Sequence, residues 1–151
     1  MEVIQNPHLF ISDQSYYIAC KVGLFYDWKL LIIREEPGKE WEIPWGKRTK
    51  QDFWADITTT LIREVKEELA FDINPYIGNI RFIWISEYET IFDNEHSIFF
   101  LLYTCTLDAL PDLELSPEHT AHKWIHKDEI NDILHWRTGF KKIVRRCFEN
   151  I

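Results

Sequence analysis

The chain has 151 residues, 46 % of them hydrophobic and 15 % aromatic, which suits one compact domain over residues 1–151 with a core large enough to need no staples. A formal net charge of −8 argues against non-specific binding of a nucleic-acid polymer, because that depends on Lys and Arg neutralising phosphates. Cys20, Cys105 and Cys147 are far apart, odd in number and free of C-x-x-C spacing, so reduced thiols in a cytoplasmic protein are expected. No apolar run approaches about 18 residues, and no signal-peptide pattern opens the chain, so neither a membrane span nor secretion is expected.

Tyr16 to Tyr26 and Leu30 to Arg34 are rich in β-branched and aromatic residues and flank Asp27-Trp28-Lys29, which reads as a hairpin or meander. Glu35-Glu36-Pro37-Gly38-Lys39 is turn chemistry, and Trp41-Glu42-Ile43-Pro44 is a short extended piece leading into Gly46. A loop from about Lys47 to Ala55, carrying the basic residues Lys47, Arg48 and Lys50, precedes a helix for which Asp56 is placed as N-cap. Asn74-Pro75 and Gly78-Asn79 break the chain. Arg81 to Thr90 and His96 to Leu107 then form a second hairpin around Phe92-Asp93-Asn94-Glu95. His122 to His126 is a short strand candidate, and Lys127 to His135 and Thr138 to Glu149 are helical by period. Strands and helices interleave without regular β-α-β alternation, so an α+β fold with a mixed sheet flanked by helices is expected.

The most informative stretch is Arg63-Glu64-Val65-Lys66-Glu67-Glu68-Leu69-Ala70-Phe71. On a helix, Glu64, Glu67 and Glu68 fall within roughly one third of the circumference, where like charges cost a few tenths of a kcal/mol per pair unless something cationic sits among them. A solvated face is the ordinary account of a Glu-rich helix. Leu61, Ile62, Val65 and Leu69, however, make an apolar stripe beside the acidic one, so the carboxylates sit on an element held against a core. A hard divalent cation is their natural partner.

Arg63 to Phe71, preceded by a glycine loop, resembles the second half of the signature of the Nudix hydrolases, with Ala70 where that family has glycine. Trp41-Glu42-Ile43-Pro44-Trp45-Gly46-Lys47 resembles the family's lead-in of an aromatic, Pro and Gly-Gly-Lys, and Lys123-Trp124-Ile125 with Asp128-Glu129-Ile130 resembles its late strand and following helix. The departures fall on loop geometry. Gly46 and Arg63 stand 17 positions apart where the family spacing gives 14, so the first signature glutamate corresponds to Asp52 or to Ala55 depending on the direction of counting. Trp45 replaces the first glycine of the usual pair, and Ala70 would be strained by about 1 kcal/mol in a left-handed turn.

The resemblance implies an α/β/α sandwich with a mixed sheet between helices. It also implies Mg²⁺-dependent hydrolysis, with Mn²⁺ as a substitute, of the pyrophosphate linkage in a nucleoside diphosphate derivative. By the same resemblance Glu67 and Glu68 are metal ligands, and Glu64 is a further ligand or the base that activates water. Arg63 orients the helix carboxylates. Gly46 and Lys47 lie on the substrate side, and Glu118 is a candidate late-loop ligand. Trp45, ahead of Trp28 or Trp41, is a candidate to stack on a nucleobase, a contact that contributes about 1–3 kcal/mol. His96, His119, His122 and His126 lack zinc-site spacing and read as surface or packing residues. A Nudix-like domain that binds a nucleotide or protein partner without turning it over is the rival reading. Substrate identity is not encoded in any local motif, and aromatics on the early strands would fit a homodimer.

Overall fold

The computed structural model describes residues 15–36, 38–52, 54–93, 96–137 and 139–151, with the side chains at 15, 87–93, 96 and 97 outside that description. Among these residues the strands are β1 (Ser15–Tyr26), β2 (Lys29–Glu35), β3 (Trp41–Glu42), β4 (Trp45–Lys47), β5 (Ile80–Asp93), β6 (His96–Thr106) and β7 (His119–Ile125), and the α-helices are α1 (Thr58–Leu69) and α2 (Phe140–Phe148). The sheet runs β3-β2-β1-β6-β5, with β4 also paired to β1 and β7 to β2. Only β1 and β6 pair in parallel, in register from Ser15 opposite His96 to Phe25 opposite Thr106. The other pairings are antiparallel, which makes the sheet mixed.

Side-chain alternation along the strands divides the core into two layers. Cys20, Val22 and Leu24 of β1, Leu31 and Ile33 of β2, and Tyr103 and Cys105 of β6 pack with Leu61, Val65 and Leu69 of α1. Phe25, Leu30, Ile32 and Leu102, on the opposite face, pack with Ile143, Val144, Cys147 and Phe148 of α2. The sheet is therefore sandwiched between the helices. At Gly23 a Cβ would lie 2.9 Å from Cys147 Sγ, so the missing side chain is what lets α2 settle onto β1. The turn between β1 and β2 places Asp27 (φ 48°) and Trp28 (φ 61°) in the left-handed region without a glycine.

The expected strands and central helix are present, and the differences lie in short pieces. Trp45-Gly46-Lys47 forms a strand that periodicity over three residues could not announce. Its pairing with β1 places Gly46 opposite Cys20. The period read as a helix over 127–135 is a 3₁₀ turn at Lys127–Asn131, and α2 begins at Phe140. Asp56 sits two residues ahead of α1, and its Oδ1 accepts from the Thr58 amide at 2.9 Å and the Thr58 hydroxyl at 2.6 Å. Ala70 takes the left-handed conformation (φ 51°, ψ 24°) and its amide donates to the Lys66 carbonyl. The carbonyls of Glu68 and Leu69, which have no partner inside the helix, accept instead from the Ser116 and Glu114 amides.

Candidate active site

The carboxylates of α1 meet the β4 backbone at the wall of a cleft of about 490 Å³, lined by Glu35, Glu36, Glu42, Trp45, Gly46, Lys47, Thr49, Glu64, Glu68, Glu118 and His119. Glycine at 46 is a steric necessity. A Cβ there would lie 1.8 Å from the Glu64 carboxyl carbon, so the backbone of β4 lies directly against that carboxylate. One residue earlier, the Trp45 amide donates to Glu68 Oε2 at 3.2 Å. A single short strand thus seats two carboxylates of one helix.

Arg63 ties this wall to the long loop. Its guanidinium donates to Asp52 Oδ2 at 3.1 Å and to the Lys47 carbonyl at 3.0 Å, and it lies 2.7 Å from Glu64 Oε1 and 3.2 Å from Glu67 Oε2. Asp52 is buried and accepts also from the Thr49 amide and hydroxyl and the Thr60 hydroxyl. Burial pushes its carboxyl up, but the Thr49 amide and Arg63 outweigh that and hold it below the usual carboxylate range. Ala55 contributes a carbonyl to Arg48. Of the two positions the loop length left open, Asp52 is the one whose acid reaches the signature arginine.

The electrostatics on the cleft side run the other way. Burial raises the Glu64 carboxyl, with Arg63 opposing. Burial raises Glu68 further, to about 9, with repulsion from Glu42 and Glu64 adding to it and the Trp45 amide opposing. Glu118 stands exposed at the rim, and its carbonyl accepts from the Glu36 amide. Lys47 lines the cleft with its ammonium 4.6 Å from the Tyr17 ring. Glu67 is not part of the wall: its side chain is 58 % exposed and turned to Arg63.

Trp45 lines the cleft, yet its ring is already engaged, edge-on to Phe100 at 5.5 Å and 5.2 Å from the Arg137 guanidinium. Trp41 is half-buried and bridges to Trp136. Trp28 is exposed at a separate cavity beside His126 and Phe148. Sequence reasoning missed Glu42, Arg137 and His119. Glu42 Oε2 accepts from Trp45 Nε1 (2.9 Å) and Arg137 (3.2 Å), while His119 Nε2 lies 3.4 Å from Glu42 Oε1 and 3.9 Å from Glu68 Oε1. These residues join from positions as far as 95 apart, so no local spacing announces them.

The NUDIX domain family model matches residues 22–147, most of the chain. The chain belongs to the Nudix family. It is a Nudix-type pyrophosphohydrolase by that membership, and the mixed sheet between helices is the Nudix fold. No curated protein matches it in sequence. Solved structures resemble it in fold. The MutT protein of Methanosarcina mazei superposes with a TM-score of 0.72 at 17 % identity, over 91 % of this chain and 96 % of that one. A bifunctional NMN adenylyltransferase/ADP ribose pyrophosphatase of Francisella tularensis gives 0.74 at 16 %, over 95 % of this chain and 44 % of that one. The NUDIX domain of Shewanella oneidensis NrtR, solved with ADP ribose, gives 0.68 at 15 %, over 95 % and 92 %.

The donor set suits a hard divalent cation. It consists of carboxylate oxygens, and the nearby Cys20 thiol is buried and raised to about 12. Among the described residues no group of three or more His, Cys, Asp or Glu side chains stands close enough together to hold a metal ion. Mg²⁺ keeps several waters and takes one or two carboxylates together with substrate oxygens, and Glu64 and Glu68 would supply those carboxylates.

Proposed function

We propose that this Nudix domain hydrolyses a pyrophosphate linkage in a nucleoside diphosphate derivative, using a divalent cation held by Glu64 and Glu68. The observation that carries this reading is the seating of those two carboxylates by the β4 backbone, through the close approach at Gly46 and the amide of Trp45. Glu67 joins them as a ligand on release from Arg63, an exposed pairing worth only a few tenths of a kcal/mol. Mg²⁺ is the expected cation and Mn²⁺ its substitute. When bound, the cation polarises phosphoryl oxygens and makes its water more acidic. Glu118 at the rim supplies a further carboxylate, and Lys47 a positive charge for a phosphate oxygen. Gly46 leaves room for close backbone approach, and Trp45 borders the substrate. Arg63 works from behind, holding Glu64 and the loop through Asp52.

In the reaction the oxygen of water bonds to one phosphorus and the bond from that phosphorus to the bridging oxygen breaks. The leaving phosphate departs with the electron pair, and a carboxylate of the wall takes the proton. The neighbours named for ADP ribose and its pyrophosphatase support a nucleotide linked to a second group as the substrate class. The same reading takes residues 1–151 as one domain acting in the cytoplasm. Exposed Tyr16 and Trp28 are where a homodimer would find apolar surface. Among the described residues no helix is long and apolar enough to cross a membrane.

The test is a panel of sugar-nucleotides, dinucleotides and nucleoside triphosphates incubated with and without Mg²⁺ or Mn²⁺. Metal-dependent release of phosphate or a nucleoside monophosphate from at least one member is expected, and Glu68→Gln or Glu67→Gln should lower that rate at least tenfold. Binding of a panel member without turnover would establish instead a nucleotide-binding module, a reading that the position of Glu67 outside the cleft favours.

A further inference from the structure

Two buried carboxylates, Glu42 and Glu68, face each other across Trp45 and His119. Trp45 holds one oxygen of each: its indole N–H donates to Glu42 Oε2 at 2.9 Å and its amide to Glu68 Oε2 at 3.2 Å. His119 Nε2 is within hydrogen-bond distance of the remaining Glu42 oxygen, Oε1, at 3.4 Å, and stands 3.9 Å from Glu68 Oε1, beyond that distance. The side chains of His119, Glu42 and Glu68 are 2 %, 3 % and 9 % exposed, so water does not substitute freely for these partners.

The ring nitrogens of His119 are distinguished by their neighbours. With Glu42 Oε1 as its acceptor, the ring donates from Nε2. In a neutral ring Nδ1 then accepts from the Ser116 hydroxyl, 3.2 Å away. Ser116 is itself fixed, because its amide donates to the Glu68 backbone carbonyl at 2.8 Å and its carbonyl accepts from the His119 amide at 3.0 Å. The 116–119 segment is thereby docked on Glu68 through both main chain and side chain. Arg137 completes the frame, donating to Glu42 Oε2 at 3.2 Å and Glu35 Oε2 at 2.9 Å, so Glu42 keeps Oε1 turned to the histidine.

We infer that His119, held by Glu42 and Ser116, is a positioning residue that fixes the orientation of the Glu68 carboxylate for the cation. This inference rests on the proposed metal-holding role of Glu68. His119 acts through Glu68 and is not itself assigned as a ligand. Its ring, hydrogen-bonded to Glu42 Oε1 and 3.9 Å from Glu68 Oε1, stands between the two carboxylates and keeps them apart. Loss of such an outer-shell partner costs about 10–100-fold in metal affinity where it has been removed from other sites.

The experiment measures Mn²⁺ dissociation constants by calorimetry on the folded wild-type chain and on His119→Met, His119→Gln and Ser116→Ala, with kcat and KM taken on the best substrate of the panel. His119→Met removes the donor at similar volume and should weaken Mn²⁺ at least tenfold and lower kcat, with KM for the nucleotide within threefold. The Gln amide can occupy the place of Nε2–H, so His119→Gln should return the affinity to within threefold of wild type. Ser116→Ala, which frees the ring without emptying the site, should weaken Mn²⁺ about threefold. If His119→Met folds and binds Mn²⁺ within twofold of wild type, the assignment is overturned. Should His119→Met fail to fold, Ser116→Ala and His119→Gln decide, and wild-type affinity in Ser116→Ala or a loss in His119→Gln as large as tenfold overturns it. A wild-type chain that binds no Mn²⁺ overturns the metal-site reading itself, whereas tight wild-type binding unaffected by the substitutions overturns only the role of His119.

Discussion

At the scale of single residues, glycine at position 46 has a different use from the one the family resemblance implies. The resemblance places it on the substrate side, and the structure puts the Glu64 carboxylate in the space a side chain would fill. Gly46→Ala therefore has to evict that carboxylate, because a contact at 1.8 Å is far inside van der Waals distance. Its expected effect is a fall in metal-dependent turnover of at least tenfold in the panel assay, with the chain still folded by circular dichroism. Wild-type turnover in Gly46→Ala would mean that Glu64 works from some other position. Spacing put three carboxylates of α1 on one face, of which the fold brings Glu64 and Glu68 to the cleft and leaves Glu67 exposed beside Arg63. Glu42 and His119 were not legible, since a buried Glu–His contact between residues 77 apart leaves no periodic trace. An isolated histidine outside zinc spacing is ordinarily unremarkable.

At the scale of elements, the long loop and the helix it feeds are held together by Asp52 and Arg63. The Asp52 carboxyl is depressed in the folded chain, so across the acid range the unfolded chain binds the extra proton. The stabilisation is complete above the ordinary aspartate value of 3.8 and drains away as pH falls through the lower folded value. Asp52→Asn should accordingly cost about 1–3 kcal/mol in urea unfolding at pH 7, leaving buried donors poorly matched, and much less near pH 2. An equal loss at both pH values would remove the ion pair from the account. The far end of the same helix carries the opposite kind of defect. Ala70 sits at φ 51° where the family uses glycine, and the expected strain of about 1 kcal/mol has its geometric cause in that left-handed turn. Ala70→Gly should raise the urea midpoint by a corresponding amount, and an unchanged midpoint would show that the contacts of residues 114 and 116 with the helix end absorb the strain.

Across the whole molecule, alternation in β1 and β2 made the two-sided sheet readable, because Cys20, Val22, Leu24, Leu31 and Ile33 belong to the α1 layer and Phe25, Leu30 and Ile32 to the α2 layer. The parallel register of β1 with β6 was not readable, since it pairs Ser15 with His96 across some eighty residues and no turn links them. Neither was β4, whose three residues exist as a strand only because β1 offers Ala19, Cys20 and Lys21 as partners. That non-local assembly brings Glu42 on β3, Glu64 and Glu68 on α1 and Glu118 beside β7 to one cleft, concentrating negative charge that each element alone would keep in solvent. Binding a divalent cation should thus stabilise the entire fold, because the charge it neutralises is brought together only by the folded sheet. With Mg²⁺ at a hundred times its dissociation constant, linkage gives about 2.7 kcal/mol, equivalent to roughly 5–10 °C in Tm for a chain of this size. Differential scanning fluorimetry at fixed ionic strength, with Mg²⁺ replaced by Na⁺ in the control, measures it. Glu68→Gln should lose most of the shift while keeping the control Tm, since the amide replaces a carboxyl that burial holds protonated until the cation binds. A full Mg²⁺ shift surviving in Glu68→Gln would place the cation away from this wall and detach the acidic cleft from the chemistry assigned to it.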